Sequence, residues 1–241
     1  MKILKGNIFT SNSQTLVNTI NCVGVMGAGI ALEYKLRYPN MFLIYEDLCK
    51  KHQLAIGTLW LFKVTPSRWV LNFPTKYHWK DKTRPEYLEK GLIKFLSTYK
   101  ERKISSVAFP ILGGQSGGLP EQIALEIMTR HLQSCDIPVE IYKYDPFAFD
   151  DLYFEFKSKM LSFTNKDLKE LIGLKIIYID RIKRALENEN IHSLSQLAST
   201  KGIGIISLEK IFAFILPNNH LTNDTINIPS STESLQGELF E

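Results

Sequence analysis

One stretch constrains this chain more than any other: Val17-Asn18-Thr19-Ile20-Asn21-Cys22-Val23-Gly24-Val25-Met26-Gly27-Ala28-Gly29-Ile30-Ala31. An apolar run ends in asparagine, breaks into three spaced glycines, and gives way to a helical period. Strand, glycine loop and helix start, in that order, specify a sheet whose strand ends carry loops poor in Cβ atoms. Such a loop lets main-chain N–H groups approach an anion, and the helix dipole favours negative charge there. The expected guest carries phosphates. Gly24, Gly27 and Gly29 fit neither the dinucleotide-binding G-x-G-x-x-G nor the phosphate loop ending in G-K-[ST]. A tight turn that needs small residues only for packing is the alternative. Asn18 and Asn21 argue for a ligand, because amides with fixed donors and acceptors suit sugar hydroxyls.

A second loop repeats the pattern. Phe109-Pro110-Ile111-Leu112-Gly113-Gly114-Gln115-Ser116-Gly117-Gly118-Leu119-Pro120 leads into a predicted helix over Glu121–Leu132. Two low-Cβ cradles at neighbouring strand ends can grip a diphosphate from both sides.

Around these loops the two hydrophobic periods alternate. Strand-like runs fall at Met1–Leu4, Leu16–Ile20, Gly57–Phe62, Trp69–Asn72, Ser106–Phe109 and Pro138–Tyr142. The clearest helix is Pro85–Tyr99, where Leu88, Leu92, Phe95, Leu96 and Tyr99 form one apolar stripe and Pro85 sits in the first turn. This alternation predicts an α/β fold with helices on both faces of a mostly parallel sheet, whose ligands lie at the carboxyl ends of the strands.

At 241 residues the chain holds one α/β domain, expected over 1–156, and a smaller unit. From Lys157 to about Leu216 the pattern is helical throughout, giving a small all-α appendage over 157–216. Residues 217–241 are rich in Asn, Ser and Thr and read as a flexible tail, and no internal repeat is evident. Residues 1–156 carry 19 Lys/Arg against 15 Asp/Glu, and 157–210 carry 10 against 6, an excess that suits a polyanion or an ordinary solvated surface equally. No apolar run reaches membrane-spanning length, and Met1–Gly6 is too short and charged for a signal peptide. Cys22, Cys49 and Cys135 are scattered, which suggests a reducing, cytoplasmic compartment and no metal cluster. Cys22 reads as a small thiol packed beneath the first loop rather than as a nucleophile.

The first 156 or so residues resemble the macro domain, an ADP-ribose-binding module. Gly6-Asn7-Ile8, Val17–Asn21, the Gly24–Ala31 loop and the Leu112–Leu119 loop carry the likeness. Within that superfamily, Asn21–Leu32 and Asn72-Phe73-Pro74-Thr75-Lys76-Tyr77-His78-Trp79 resemble the DNA ADP-ribosyl glycohydrolase antitoxins (DarG). The resemblance implies a three-layer α/β/α fold and removal of ADP-ribose from a modified target, in that branch a nucleobase in DNA. It also raises a cognate ADP-ribosyltransferase toxin as a partner, and it implies no organic cofactor and no metal. Carried over by position, Asn7 and Ile8 sit by the adenine, where many relatives have an Asp. Asn18 and Asn21 serve the sugars, with Asn21 at the distal ribose. Gly24, Val25, Met26, Gly27, Gly29 and Ile30 would hold the diphosphate together with Gly113, Gly114, Gln115, Ser116, Gly117, Gly118 and Leu119, with Leu112 a further ligand-binding residue of that loop. Tyr144 or Phe147 would stack on adenine. Thr75 flanks Lys76, the implied catalytic lysine.

Lys76 also makes chemical sense where a strand ends at the ligand edge. Its amine can attack the anomeric carbon of the distal ribose or stabilise charge on the departing base. Attack requires a lowered pKa, from partial burial or from His78, Lys80, Lys82 and Arg84 if the loop folds back. Pairing with phosphate or solvent is the plainer alternative. One departure bears on catalysis. Relatives often place an Asp after the second loop's leucine, and here Leu119 is followed by Pro120. Losing a carboxylate that assists proton transfer favours a non-catalytic ADP-ribose reader, whereas Phe73-Pro74-Thr75-Lys76 favours the enzyme. A hydrolase of free ADP-ribose derivatives is a third reading. In the appendage, Leu197–Ile211 looks like a helix–hairpin–helix, in which Gly202, Gly204, Lys201 and Lys210 would meet a DNA phosphate. An αα-hairpin whose glycines only close the turn is the alternative, and a docking surface for the toxin a further one.

Overall fold

Seven strands share one sheet in the order β1-β6-β5-β2-β4-β3-β7 in the computed structural model, which describes residues 1–216 and 237–240. They are β1 Lys2–Gly6, β2 Thr15–Asn21, β3 Leu59–Thr65, β4 Arg68–Lys76, β5 Val107–Pro110, β6 Val139–Tyr144 and β7 Gly237–Phe240. β1, β6, β5, β2 and β4 run parallel to their neighbours, while β3 pairs antiparallel with β4 and with β7. The Thr65-Pro66-Ser67-Arg68 turn is too short for a crossover, so β3 and β4 form a hairpin and the sheet becomes mixed.

Side-chain alternation sorts the helices into layers. One sheet face presents Val17, Leu71, Phe73, Val107, Phe109 and Ile141 to α3 (Pro85–Thr98) and α4 (Glu121–Leu132). The other presents Leu16, Ile20, Trp60, Val70 and Ala108 to α1 (Gly29–Arg37) and α2 (Pro39–Lys50). Three layers result, as expected from the sequence. The stripe on α3 is buried at Leu88, Leu92 and Phe95, with Pro85 at the helix start where its missing N–H costs nothing.

The appendage comprises α5 (Tyr153–Ser162), α6 (Asn165–Ile172), α7 (Ile176–Glu187), α8 (Leu194–Ala198) and α9 (Ile205–Ile215). Contrary to the sequence reading, it contains a structural repeat. One fixed offset relates Thr164 to Ser193, both helix caps whose side chains accept a backbone N–H. The same offset relates Gly173 to Gly202, both at positive φ, and the first helical residues Ile176 and Ile205. It also relates Arg181 to Lys210, which reach across: Arg181 Nη1 donates to Gly202 O at 2.7 Å, and Lys210 Nζ donates to Gly173 O. Gly173/Gly202 and Ile176/Ile205 are identical, but most other matching positions share turn geometry or burial without residue identity, which is why the pattern missed the repeat.

The flexible-tail expectation needs one correction. Residues 217–236 and 241 lie outside the described residues, but Gly237–Phe240 form β7, edging β3. Glu238 anchors it through Lys63 Nζ at 2.8 Å and Arg102 Nη1 at 3.0 Å. Four residues are too few for alternation to reveal.

The appendage packs on α1, where Leu36 joins its apolar core. Around that contact lie three acidic residues. Arg37 donates to Glu33 (Nη2 to Oε1, 2.7 Å) and to Asp151 (Nη2 to Oδ1, 2.8 Å). Glu33 Oε2 accepts from Ser195 Oγ of α8. Asp150 is buried and accepts from the N–H groups of Leu152, Tyr153 and Leu194, at 3.0, 2.6 and 2.5 Å.

Candidate functional site

β2 and β5 are parallel neighbours, so the two glycine loops that follow them emerge side by side at one edge of the sheet. Between them opens a cavity of about 1170 Å³, roomy enough for a dinucleotide-sized ligand. The helices that the loops feed, α1 and α4, start without a side-chain cap at Ala28 and Pro120. Their first-turn N–H groups are therefore left for water or an anion.

The first loop is organised by Asn21. Its Oδ1 accepts from Val23 N at 3.0 Å and Val25 N at 3.3 Å, and its Nδ2 donates to Val25 O at 2.6 Å. Tyr45 OH adds a bond to Asn21 Oδ1 at 3.1 Å. The side chain expected at the distal ribose thus shapes the loop from within, although Asn21 still lines the cavity. Asn18 lies one layer deeper, fully buried, donating to Asn72 Oδ1 at 2.9 Å. The second loop turns through Gln115–Gly117 and is strapped by Thr83, whose N–H donates to Gly117 O at 2.8 Å. A Cβ on Gly117 would come within 2.5 Å of Thr83 Oγ1, so the close approach itself requires glycine.

Lys76 ends β4, opposite Asn21 in the register. Its Nζ donates to Ser116 O of the second loop at 2.6 Å, so the amine bridges from the foot of one loop to the tip of the other. The residue is 8% exposed, and burial lowers its pKa below that of an ordinary lysine while Asp81 pulls the other way. Burial rather than neighbouring cations is thus what favours the neutral amine. Cys22 lies beneath, its Sγ 3.6 Å from Lys76 O, and burial pushes its pKa up to about 12. Burial thus favours the thiol over the reactive thiolate. No cluster of three or more potential metal ligands occurs among the described residues, and His78 Nδ1 accepts from Lys80 N at 3.2 Å.

Most residues expected from the sequence meet here. Asn7, Ile8, Asn21, Val25, Gly27, Gly29, Ile30, Thr75, Lys76, Tyr144 and the run Gly113–Leu119 all line the cavity. Five do not. Asn18, Met26 and Leu112 are buried behind the loops. Gly24 backs onto Glu46 and Cys49 of α2. Phe147 is 68% exposed and outside the lining, which leaves Tyr144 of the two expected aromatics. Sequence reasoning missed Glu33, Trp79, Glu121 and Ser195, which also line the cavity. Trp79 had a signal, three residues past Lys76. Ser195 had none, because only the packing of α8 on α1 brings it in.

Two glycine loops thus form a strand-end cradle with a lysine amine across its mouth. The chain belongs to the macro domain family, whose pattern matches residues 17–128. It is 34% identical to the macrodomain of Thermus aquaticus DarG, with a TM-score of 0.56 over 59% of this chain and 97% of that one. It matches DarTG of Thermosipho africanus in complex with ADP-ribose at 34% identity and TM-score 0.56, over 60% of this chain and 42% of that one. The DNA ADP-ribosyl glycohydrolase of Mycobacterium tuberculosis is 39% identical over 141 residues, which are 57% of this chain. The chain spans about two fifths of the length of the curated relatives it matches, 40% in that case. A fusion protein of Thermosipho africanus, named a DNA ADP-ribosyl transferase joined to a DNA ADP-ribosyl glycohydrolase, is 36% identical over 160 residues, 59% of this chain and 41% of that protein.

Proposed function

We propose that this chain removes ADP-ribose from ADP-ribosylated nucleic acid, with Lys76 as the reacting group. The observation that carries this is the Lys76 amine, nearly buried, lowered in pKa and set between the two loops. The diphosphate lies across Gly27–Ile30 and Gly113–Leu119, and the distal ribose reaches Lys76. The neutral amine attacks the anomeric carbon. The bond to the base breaks, and the base leaves with its electron pair and takes a proton from water. Water then hydrolyses the lysine adduct, freeing ADP-ribose and restoring the amine. The relatives named above as DNA ADP-ribosyl glycohydrolases support the same substrate class, and the transferase fusion supports a cognate transferase toxin as partner. The free cysteines fit a reducing, cytoplasmic setting. No helix among the described residues is long and apolar enough to cross a membrane.

Pro120 favours a second reading, a module that binds ADP-ribose without cleaving it. Against it stands Glu121, a residue of the cavity lining one position later, whose carboxylate lies 2.9 Å from Lys143 Nζ.

The helical appendage would hold the flanking nucleic acid. Lys201 and Gly202 form the tip of one hairpin, Gly204 caps α9, and Gly173-Leu174-Lys175 forms a matching tip before α7. Lys210 serves the first hairpin rather than its own, since its amine lies on Gly173 O.

The test is incubation with thymidine- or guanosine-ADP-ribosylated DNA beside Lys76→Ala. Release of ADP-ribose by wild type alone supports the hydrolase. Tight ADP-ribose binding without release from either modified DNA makes the chain a reader.

A further inference from the structure

The appendage does more than sit beside the cavity. Ser195 and Ser199 of α8 and Phe212 of α9 line it together with Asn7, Ile8 and Tyr144, the end expected to take the adenine. Two observations bear on how a base would be read there. First, the Asn7 Oδ1 that would accept from an exocyclic amine accepts from Phe9 N at 3.0 Å as the cap of a short helical turn, and being a neutral amide oxygen it is a weaker acceptor than a carboxylate. Second, Glu33 of α1 is 6% exposed yet lines the same cavity. It lies within electrostatic reach of Tyr144, whose pKa is raised first by burial and next by the Glu33 charge. Glu33 Oε1 accepts twice from Arg37, at 3.0 Å from Nε and 2.7 Å from Nη2. Oε2 accepts from Ser195 Oγ. Each carboxylate oxygen has two lone pairs, so Oε2 retains acceptor capacity once Ser195 is bound.

We infer that Glu33, held in place by Ser195 of the appendage, is the group that selects a base bearing a 6-amino substituent, with Tyr144 as its stacking platform. This rests on the ADP-ribose reading given above. The appendage is thus part of the ligand site: Ser195 is a positioning residue, and Glu33 is a specificity residue that touches the base. The chemistry is direct. An ionised carboxylate accepts from the amine of adenine and is repelled by the 6-oxo group of hypoxanthine, which offers no donor at that atom.

The experiment is calorimetric titration of the full chain with ADP-ribose and with inosine diphosphate ribose. Wild type should bind ADP-ribose roughly 10- to 100-fold more tightly, the worth of one hydrogen bond to a charged acceptor. Glu33→Gln should bring the two ligands within about threefold of each other, because an amide can serve either base edge. Should losing the Arg37 ion pair unfold that variant, Ser195→Ala keeps the carboxylate and the pair. It should cut the preference several-fold while leaving the ligand-free melting temperature close to wild type. Equal affinity of wild type for both ligands overturns the Glu33 assignment and leaves the ADP-ribose reading standing. So does a folded Glu33→Gln that keeps the wild-type preference. Binding of neither ligand by folded wild type overturns both.

Discussion

Lys76 and Gly117 show how single residues set this site. Burial favours loss of the ammonium proton from Lys76, and the Asp81 carboxylate opposes it. If the neutral amine is the nucleophile, the rate of ADP-ribose release should climb with pH through a midpoint below the usual lysine range. Removing the opposing charge in Asp81→Asn should move that limb to lower pH, read from rate profiles on modified DNA. An unchanged limb would assign the ascending pKa to another group. Gly117 is a steric argument. In Gly117→Ala the new Cβ meets Thr83 Oγ1 at 2.5 Å, so stability should fall by about 1–3 kcal/mol and ADP-ribose should bind more weakly. Thr83→Ala in the same chain removes that oxygen, which is buried and lacks a hydrogen-bond partner, and should restore most of the loss in a double-mutant cycle. Both residues were legible in the sequence because each sits at a strand end or in a glycine loop, where local pattern and chemistry coincide. Glu33 was not legible, because its role depends on a contact with α8 more than 160 positions away in the chain.

At the scale of elements, the six parallel-sheet and hairpin strands were readable because each is a run of apolar or alternating residues between turn signals. β7 was not, being short and fixed by Glu238 pairing with Lys63 and Arg102 rather than by its own pattern. The helical repeat was hidden because few of its matching positions beyond the turn glycines and Ile176/Ile205 are identical: Thr and Ser cap equivalently, and Arg181 and Lys210 reach across equivalently. The junction between α1, α5 and α8 rests on Asp150, which accepts three backbone N–H groups from α5 and α8. Burial raises its pKa to about 6, and the N–H of Leu194 offsets part of that. A carboxyl whose folded pKa is raised binds its proton more tightly in the folded state, so its contribution is fully present below the unfolded value near 4 and is lost as pH rises through 6. Relative to Asp150→Asn, wild type should therefore gain on the order of 2 kcal/mol of unfolding free energy between pH 7 and pH 4, measured by urea denaturation across that range. A constant difference between the two proteins would mean that Asp150 titrates alike in both states.

At the scale of the whole molecule, the proposed function gives the groove between the loops and the pair of helical hairpins different parts of one substrate. In that proposal the groove takes the ADP-ribose, whose affinity depends on fixed donors and a shaped cavity. In the same proposal the hairpins take backbone phosphates, whose contribution is set by counterion release and falls with salt. The two are separable because the hairpin lysines Lys175 and Lys201 do not line the cavity. In Lys175→Gln/Lys201→Gln, affinity for free ADP-ribose should therefore stay at the wild-type value. Affinity for ADP-ribosylated duplex DNA at low salt should fall, and the slope of log K against log salt should flatten by about 2, close to one unit per lysine. Titrations at several salt concentrations, run in parallel with free ADP-ribose and with modified DNA, read both quantities. A slope that does not move would assign the hairpins to packing or to a protein partner, and the groove would then be all that this chain offers to its substrate.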